Sequence, residues 1–313
     1  MLQKCCVCPG KDFVDTNHIF NIQMVLKKYL VSENCFDTSD QGILVCKKLN
    51  LTPAIQANSY YFGHPEWGKS YFAACHRDEK FIDLWRAVIG SWHDKIVVDI
   101  GCGPGNVYAS LKEICGEPQL LIGVDVSYEA LKMSQHLGYT PILADAQNLP
   151  LISGFADIVI ANACLHHCDD MEKTLREAAR LVRPGGFLIT DHDPQLTAYQ
   201  FRGLGFMLWN VRLSLYRQIK RGGHSTKEEQ LWGLATEVHH KPGDGVTPEL
   251  YYKVLKPLGF KVKLYPHNHT VGAEVLKGNY GQSSWKCRLA QILSGINPEL
   301  PEAALSLMCV AQL

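Results

Sequence analysis

The sequence predicts an α/β fold with a mainly parallel sheet covered by helices on both faces. Between residues 96 and 191, short β-branched and aliphatic runs alternate with stretches of helical periodicity. That spacing is the one expected of βαβ units. A turn of alternating glycines also stands between the first strand and the first helix of this stretch. Taken in order, Ile96-Val97-Val98-Asp99-Ile100 reads as a buried strand, 106–114 as a helix and Leu120-Leu121-Ile122-Gly123-Val124-Asp125 as the next strand. Ser127 stands where an N-cap belongs, with Glu129 in the first turn, for a helix running through His136. Ile142-Leu143-Ala144 and Ile158-Val159-Ile160 are further strands. Residues 171–181 form a helix with Leu175, Ala178, Ala179 and Val182 on one face. It stops at Arg183-Pro184-Gly185-Gly186, ahead of the strand Phe187-Leu188-Ile189-Thr190. The alternation resumes with a helix over 248–255, a break at Pro257-Leu258-Gly259, a strand over 260–265 and a final strand over 307–312.

Five units follow from this reading. Residues 1–58 are Cys-bearing and irregular, and 59–92 are aromatic-rich and helical from Lys69 onward. Residues 93–193 form the core, 194–245 an insertion, and 246–313 complete the sheet around a second insertion at about 270–304. In a chain of 313 residues, 46% apolar and 20% charged is an ordinary globular balance, which argues against disorder. Thirty-one basic residues cancel thirty-one acidic ones, so a general nucleic-acid coat is not expected. The longest apolar stretch, 203–211, falls short of the roughly 20 residues that span a bilayer. The N-terminus lacks the apolar run of a signal peptide. Twelve cysteines scattered along the chain suit free thiols in a reducing, cytoplasmic setting.

The decisive segment is Val97-Val98-Asp99-Ile100-Gly101-Cys102-Gly103-Pro104-Gly105-Asn106. Alternate glycines let the backbone turn sharply and approach a ligand without Cβ clashes. The helix that follows points unpaired N–H groups the same way. A dinucleotide fingerprint needs G-x-G-x-x-G, but its last position is Asn106 counting from Gly101 and Tyr108 counting from Gly103, so both registers fail. No G-K-[ST] occurs in this loop either, which sets aside nucleoside triphosphates as its ligand.

The segment resembles the first motif of class I S-adenosylmethionine-dependent methyltransferases, D-x-G-x-G-x-G, from Asp99 to Gly105. Four further marks of that family stand in order. They are Asp125 ending the second strand, Asp145-Ala146 after the third, Asn162 after the fourth, and Leu181-Val182-Arg183-Pro184-Gly185-Gly186 before the fifth. The resemblance covers about 100 residues well and leaves out 1–58 and 194–245. It implies a Rossmann-like, seven-stranded, mainly parallel sheet with an antiparallel last strand, to which the residue pattern outside the resemblance adds a small N-terminal segment and a helical lid. It implies S-adenosyl-L-methionine as cofactor, cradled by the Asp99, Gly101, Gly103 and Gly105 loop. Asp125 would hold the ribose, where a carboxylate can accept both hydroxyl protons, and Val126 next to it is a further cofactor-binding candidate. Asp145 and Ala146 would meet the adenine, with Asn162 beside them. Family members often lay an N-terminal aromatic segment across the donor, and Tyr71 is the candidate for that position.

His166 and His167 follow the fourth strand at the carboxyl edge of the sheet, where ligands bind in open α/β folds. They are the candidate general bases for a hydroxyl or amine acceptor. The alternative is a helix cap or a backbone hydrogen bond beside Asp169-Asp170. Leu165-His166-His167 looks like the small-molecule branch of the family, the group with the quinone-precursor C-methyltransferases. The N-P-P-Y-like motif of amino-methylating nucleic-acid enzymes is absent. A small, partly apolar metabolite is therefore the expected acceptor, with RNA methylation and a catalytically idle binding module as the alternatives. Asp191-His192-Asp193 is read as lining the substrate mouth, and no metal is expected.

Residues 194–227 hold six basic residues and no acidic one, with Leu204, Leu208, Val211, Leu215 and Ile219 at helical spacing. This pattern reads as a lid or a packed helix ahead of a peripheral membrane contact. Cys5-x-x-Cys8 and Cys46 resemble a zinc ribbon, but Leu49 occupies the fourth ligand position, so a degenerate, metal-free remnant is expected.

Overall fold

The computed structural model describes residues 25–67, 77–219 and 225–313. The first strand pair is β1 (Phe36–Thr38) and β2 (Leu44–Cys46), followed by helices α1 (Pro53–Gly63) and α2 (Glu79–Ile89). The core then alternates β3 (Ile96–Ile100), α3 (Asn106–Cys115), β4 (Leu120–Asp125), α4 (Tyr128–Gln135), β5 (Thr140–Leu143), β6 (Ala156–Asn162), α5 (Met171–Leu181) and β7 (Val182–Asp191). The insertion supplies α6 (Gly203–Gln218) and α7 (Lys227–Thr236). The remainder is α8 (Pro248–Leu255), β8 (Lys261–His267), α9 (Trp285–Leu293) and β9 (Ser306–Gln312).

All seven expected strands are present, in one sheet of order β1-β2-β5-β4-β3-β6-β7-β9-β8. β2 through β7 pair in parallel, while β9 runs antiparallel between β7 and β8. The expected count of seven is corrected to nine, because β1 and β2 extend the sheet beyond β5. The expectation of irregular chain before residue 59 is corrected with it over residues 36–58, while residues 1–24 lie outside the described residues. Each of these strands is only three residues long, too short to show an alternation, and β2 gains its partner β5 from about 100 residues away.

Successive strand residues face opposite sides of a sheet. Val98, Ile100, Ile122, Val124 and Val159 pack with Leu175, Ala178 and Leu181 of α5 and Val254 of α8 on one face. Val97, Leu121, Ile158 and Ile160 pack with Leu84 and Trp85 of α2 and Leu111 of α3 on the other. The chain runs outward through β3, β4 and β5, then returns to lay β6 on the opposite side of β3. That reversal opens a crevice beyond the carboxyl ends of the strands, where ligands bind in such sheets.

Capping sets the helix starts. The side-chain oxygens of Thr52, Ser127 and Asp170 accept from the N–H groups of Ile55, Ala130 and Lys173. The Ser127 hydroxyl also donates to the Ser59 carbonyl at 2.9 Å, joining α4 to α1. Gly63 lies against the same serine, where a Cβ would come within 2.8 Å of its Oγ.

α6 departs from expectation. The stripe of Leu204, Leu208, Val211, Leu215 and Ile219 is exposed, Val211 at 63% and Leu204 at 62%, instead of packed on the domain. Helical spacing identifies a common face but carries no information about what that face meets. Contact with α9 is made through Gly205, where a Cβ would stand 2.3 Å from the Ala290 carbonyl. The six basic residues of the insertion include Lys220 and Arg221, which lie outside the described residues. So do Tyr71, Cys5 and Cys8. Among the described residues no helix is long and apolar enough to cross a membrane, and eight cysteines are free.

Ser127→Ala removes both the cap and the tie to α1. It should lower unfolding free energy by about 1–2 kcal/mol, read from the urea midpoint. An unchanged midpoint would show that neither bond matters.

Candidate active site

The loop after β3 is held in place by its neighbours. The N–H groups of Gly101 and Cys102 donate to the Val124 carbonyl at 2.8 and 3.2 Å, continuing the parallel register one step beyond the strand. The Gly103 N–H donates to Asp125 Oδ2 at 2.8 Å, and the Ser127 N–H to Oδ1 at 2.8 Å. A carboxylate has about four acceptor positions, so each Asp125 oxygen keeps capacity for a further donor. Burial pushes the Asp125 carboxyl up, while the backbone N–H groups of Ser127, Gly103 and Val126 pull it the other way.

Two glycines of this loop serve different ends. Gly103 has φ +52°, and a Cβ there would meet nothing within 4 Å, so the backbone stands bare toward the crevice. Gly105 has φ +89° and is packed from behind, where a Cβ would come 2.8 Å from the Tyr139 ring. Asp99 also sits behind the loop, buried, and accepts from the Tyr139 hydroxyl at 2.7 Å. Burial raises its carboxyl to about 7 against the Tyr139 hydrogen bond, and the neighbouring charge of Asp125 adds to the rise.

The crevice is a cleft of about 840 Å³. Of the residues picked out from the sequence, Gly101, Gly103, Asp125, Val126, Asp145, Ala146, Asn162 and His167 line it. Asp99, Gly105 and His166 do not line it, and Tyr71 lies outside the described residues. Asp145 Oδ1 accepts from the Gln147 N–H at 2.9 Å, which fixes the turn after β5. The roof is α1, which contributes Ile55, Asn58 and Phe62. Asn58 ties that roof to the floor by donating to the His167 carbonyl at 3.3 Å, and the Thr52 hydroxyl does the same by donating to Asp169 at 2.7 Å. Sequence reasoning missed this helix, although Thr52-Pro53 is an N-cap followed by proline at the first helical position.

A second cleft of about 930 Å³ adjoins the first and shares Phe62 and His167 with it. It is also lined by Tyr61, His166, His192, Arg212, Glu237 and His240. His166 is buried and donates from Nδ1 to Asp193 Oδ1 at 2.8 Å, an oxygen that also receives its backbone N–H at 3.0 Å. His167 Nδ1 lies 2.7 Å from the Thr236 carbonyl, which can only accept, so Nδ1 carries the proton. Burial pushes both imidazoles down to about 4. Glu237 opposes this for each, while neighbouring imidazoles add to it. Both rings are thus neutral at pH 7, each with its lone pair on Nε2. Glu237 bonds to His240 Nδ1 at 2.7 Å and lies 3.6 Å from His166 Nε2. Burial opposes its charge, but His240 and the imidazoles of His166 and His167 outweigh burial and hold the carboxyl well below the usual range. Glu237, His240 and Arg212 were not singled out for the site from the sequence. Asp191 lies behind this cleft, bonded to His267 at 2.7 Å and to Trp85 at 3.2 Å.

A family profile described as a methyltransferase domain matches residues 98–190, the stretch that carries the glycine loop, Asp125, Asp145 and both histidines. Residues 98–190 are a methyltransferase domain of the class I, S-adenosylmethionine-dependent kind. S-adenosyl-L-methionine is the cofactor that the glycine-loop resemblance implies for it. The cleft fits that group, with bare backbone at Gly103, acceptor capacity on Asp125, and apolar walls at Ile55, Phe62, Val126 and Ala146.

Among curated proteins, the chain is similar to the tRNA (carboxymethyluridine(34)-5-O)-methyltransferase of Arabidopsis thaliana. The two are 36% identical over 97 residues, which is 30% of this chain and 23% of that protein. It is also similar to the malonyl-[acyl-carrier protein] O-methyltransferase of Pseudescherichia vulneris, 29% identical over 120 residues, 38% of this chain and 47% of that protein. The match thus spans about a quarter to a half of the length of these relatives. The solved structure of the plantazolicin methyltransferase BamL, in complex with a triazolic desmethylPZN analog and SAH, is 17% identical. It covers 83% of this chain and 95% of its own, with a TM-score of 0.48, a likeness too loose to weigh on function.

Asp99 is protonated more readily in the folded methyltransferase domain than in the unfolded chain. Its stabilising contribution is therefore complete below the ordinary carboxylate range and is lost as pH rises through about 7. Asp99→Asn, which keeps an oxygen for Tyr139, should gain stability relative to wild type between pH 5 and pH 8 in urea unfolding. A difference independent of pH would show that Asp99 does not titrate in this window.

Proposed function

We propose that the protein is an S-adenosylmethionine-dependent methyltransferase acting on a small, partly apolar acceptor. The observation that carries the reading is the sharing of Phe62 and His167 between the two clefts. An acceptor in the histidine-lined cleft would meet a donor in the other across a single layer of side chains. When bound, S-adenosylmethionine supplies an electrophilic methyl group on a sulfonium, transferred by in-line displacement. This chain's residues would do the rest. The Gly103 backbone, the N-terminus of α3 and Asp125 hold the donor, with Asp145 and Ala146 at its adenine. Phe62 and the α1 roof exclude water, and positioning of this kind can supply several kcal/mol. His166 and His167 present unprotonated Nε2 atoms on the acceptor side.

The open second cleft supports a working enzyme over an idle module, in which side chains would fill that space. The tRNA-modifying relative keeps an RNA acceptor as the second reading. The partly enclosed cleft and the absence of an N-P-P-Y-like motif favour a small molecule.

Asp125→Ala should weaken donor binding by about 1.5–3 kcal/mol through the loss of two charge-assisted hydrogen bonds, as measured by calorimetry. Methyl transfer from labelled donor to a panel of hydroxyl, amine and carboxylate acceptors should then fall with it. Unchanged donor affinity would remove Asp125 from the site. Incorporation only into RNA, declining steeply with salt, would establish the second reading.

A further inference from the structure

We propose that the second cleft is a metal site in which His166, His167 and Glu237 hold a divalent first-row cation of the zinc type. One ligand atom from each of the three lies within 4.8 Å of the others. A cation with bonds of about 2.0–2.2 Å holds its ligand atoms no more than about 4.4 Å apart, so the three side chains close on it by drawing together slightly. His166 Nε2 and Glu237 Oε2 already stand 3.6 Å apart. The donor set is two imidazoles and one carboxylate, which suits zinc and its neighbours and not the all-oxygen preference of magnesium or calcium.

The support behind the ligands is in place. A metal-bound histidine characteristically donates its other ring nitrogen to a carboxylate or carbonyl, which fixes the tautomer and aims the lone pair. His166 does so to Asp193 at 2.8 Å, and His167 to the Thr236 carbonyl at 2.7 Å. Both anchors bind Nδ1 and leave Nε2 for the cleft. The three ligands come from the turn after β6 and from the end of α7, two elements that the chain brings together through the insertion. Two further buried atoms lack hydrogen-bond partners among the described residues, Asp193 Oδ2 and His240 Nε2, and His240 lines the same cleft.

Three protein ligands leave a coordination position open, the pattern of a catalytic rather than a structural site. His167 also lines the cofactor cleft, so that position lies on the side where an acceptor would meet the donor. Arg212 places a fixed positive charge in the same cleft, its guanidinium 3.1 Å from the centre of the Trp209 ring. A cation together with Arg212 selects an acceptor that brings an oxyanion or another hard, ionisable heteroatom. With the cation in place, the two imidazoles would serve as ligands, and acidifying the acceptor would fall to the metal instead of to a histidine base.

The test uses the full chain with Cys5, Cys6 and Cys8 replaced by serine, so that N-terminal thiolates cannot take up the probe. Zn²⁺ is titrated by calorimetry, and Co²⁺ binding is followed by visible absorption. One ion per chain is expected, with a cobalt spectrum free of thiolate charge-transfer bands. Glu237→Gln and His166→Ala, neither of which lines the cofactor cleft, should each weaken Zn²⁺ binding at least about tenfold. Asp193→Asn should weaken it by about 10- to 100-fold. S-adenosylhomocysteine affinity in each variant reports that the domain is folded, and the near-isosteric Glu237→Gln carries the test if His166→Ala fails that check. No Zn²⁺ uptake by the triple-serine chain overturns the proposal. So does uptake undiminished in Glu237→Gln that still binds S-adenosylhomocysteine. None of these measurements needs an acceptor, so the metal site can fail while the methyl-transfer reading stands, and the reverse.

Discussion

The carboxylate of Asp125 connects the two loops on which the cofactor cleft is built. Parallel pairing sets Ile100 beside Val124, so the chain leaves β3 and β4 side by side. Past that point the ladder no longer governs the backbone. Asp125 takes over by receiving the Gly103 and Ser127 N–H groups on its two oxygens. Hydrogen bonds to a charged acceptor are roughly twice as strong as neutral ones, and these two act at the strand ends, where β pairing has run out. The glycine loop, the start of α4 and, through Ser127, the α1 roof all take their positions from this residue.

The parts of the fold that were legible in the sequence are those whose signal is local. β3 to β7 announce themselves as aliphatic runs, and α4 and α5 by their caps at Ser127 and Asp170 and their periodic faces. The elements that were missed depend on distant partners. β1 and β2 are three residues each and gain meaning only against β5. α1 carries a capping signature at Thr52-Pro53, but its sequence mixes apolar and polar residues around the helix and shows little of the one-sided pattern that identifies a surface helix. In α6 the periodicity was present but ambiguous, since a regular apolar face looks the same whether a neighbour or water lies against it.

The two clefts divide along the same line. The cofactor cleft draws mostly on the methyltransferase domain, where strand ends impose a fixed order on the chemical groups. The adjoining cleft takes His166, His167 and His192 from strand ends but Arg212, Glu237 and His240 from the insertion, about 20 to 75 residues further on. No spacing rule relates those positions, so histidines could be singled out from their place at the sheet edge while their carboxylate partner could not. The insertion lies beyond the stretch that the methyltransferase-domain profile matches.

α1 closes over the cofactor cleft and is fastened on three sides, by Thr52 to Asp169, by Ser59 to Ser127, and by Tyr60 to Glu228 at 3.0 Å. These are lone hydrogen bonds, and they act beside a buried face made of Ala54, Ile55, Ala57 and Tyr61. A nucleoside bound in the cleft would lie beneath this helix, so the roof is a place where the pace of repeated turnover could be set independently of the bond-making step.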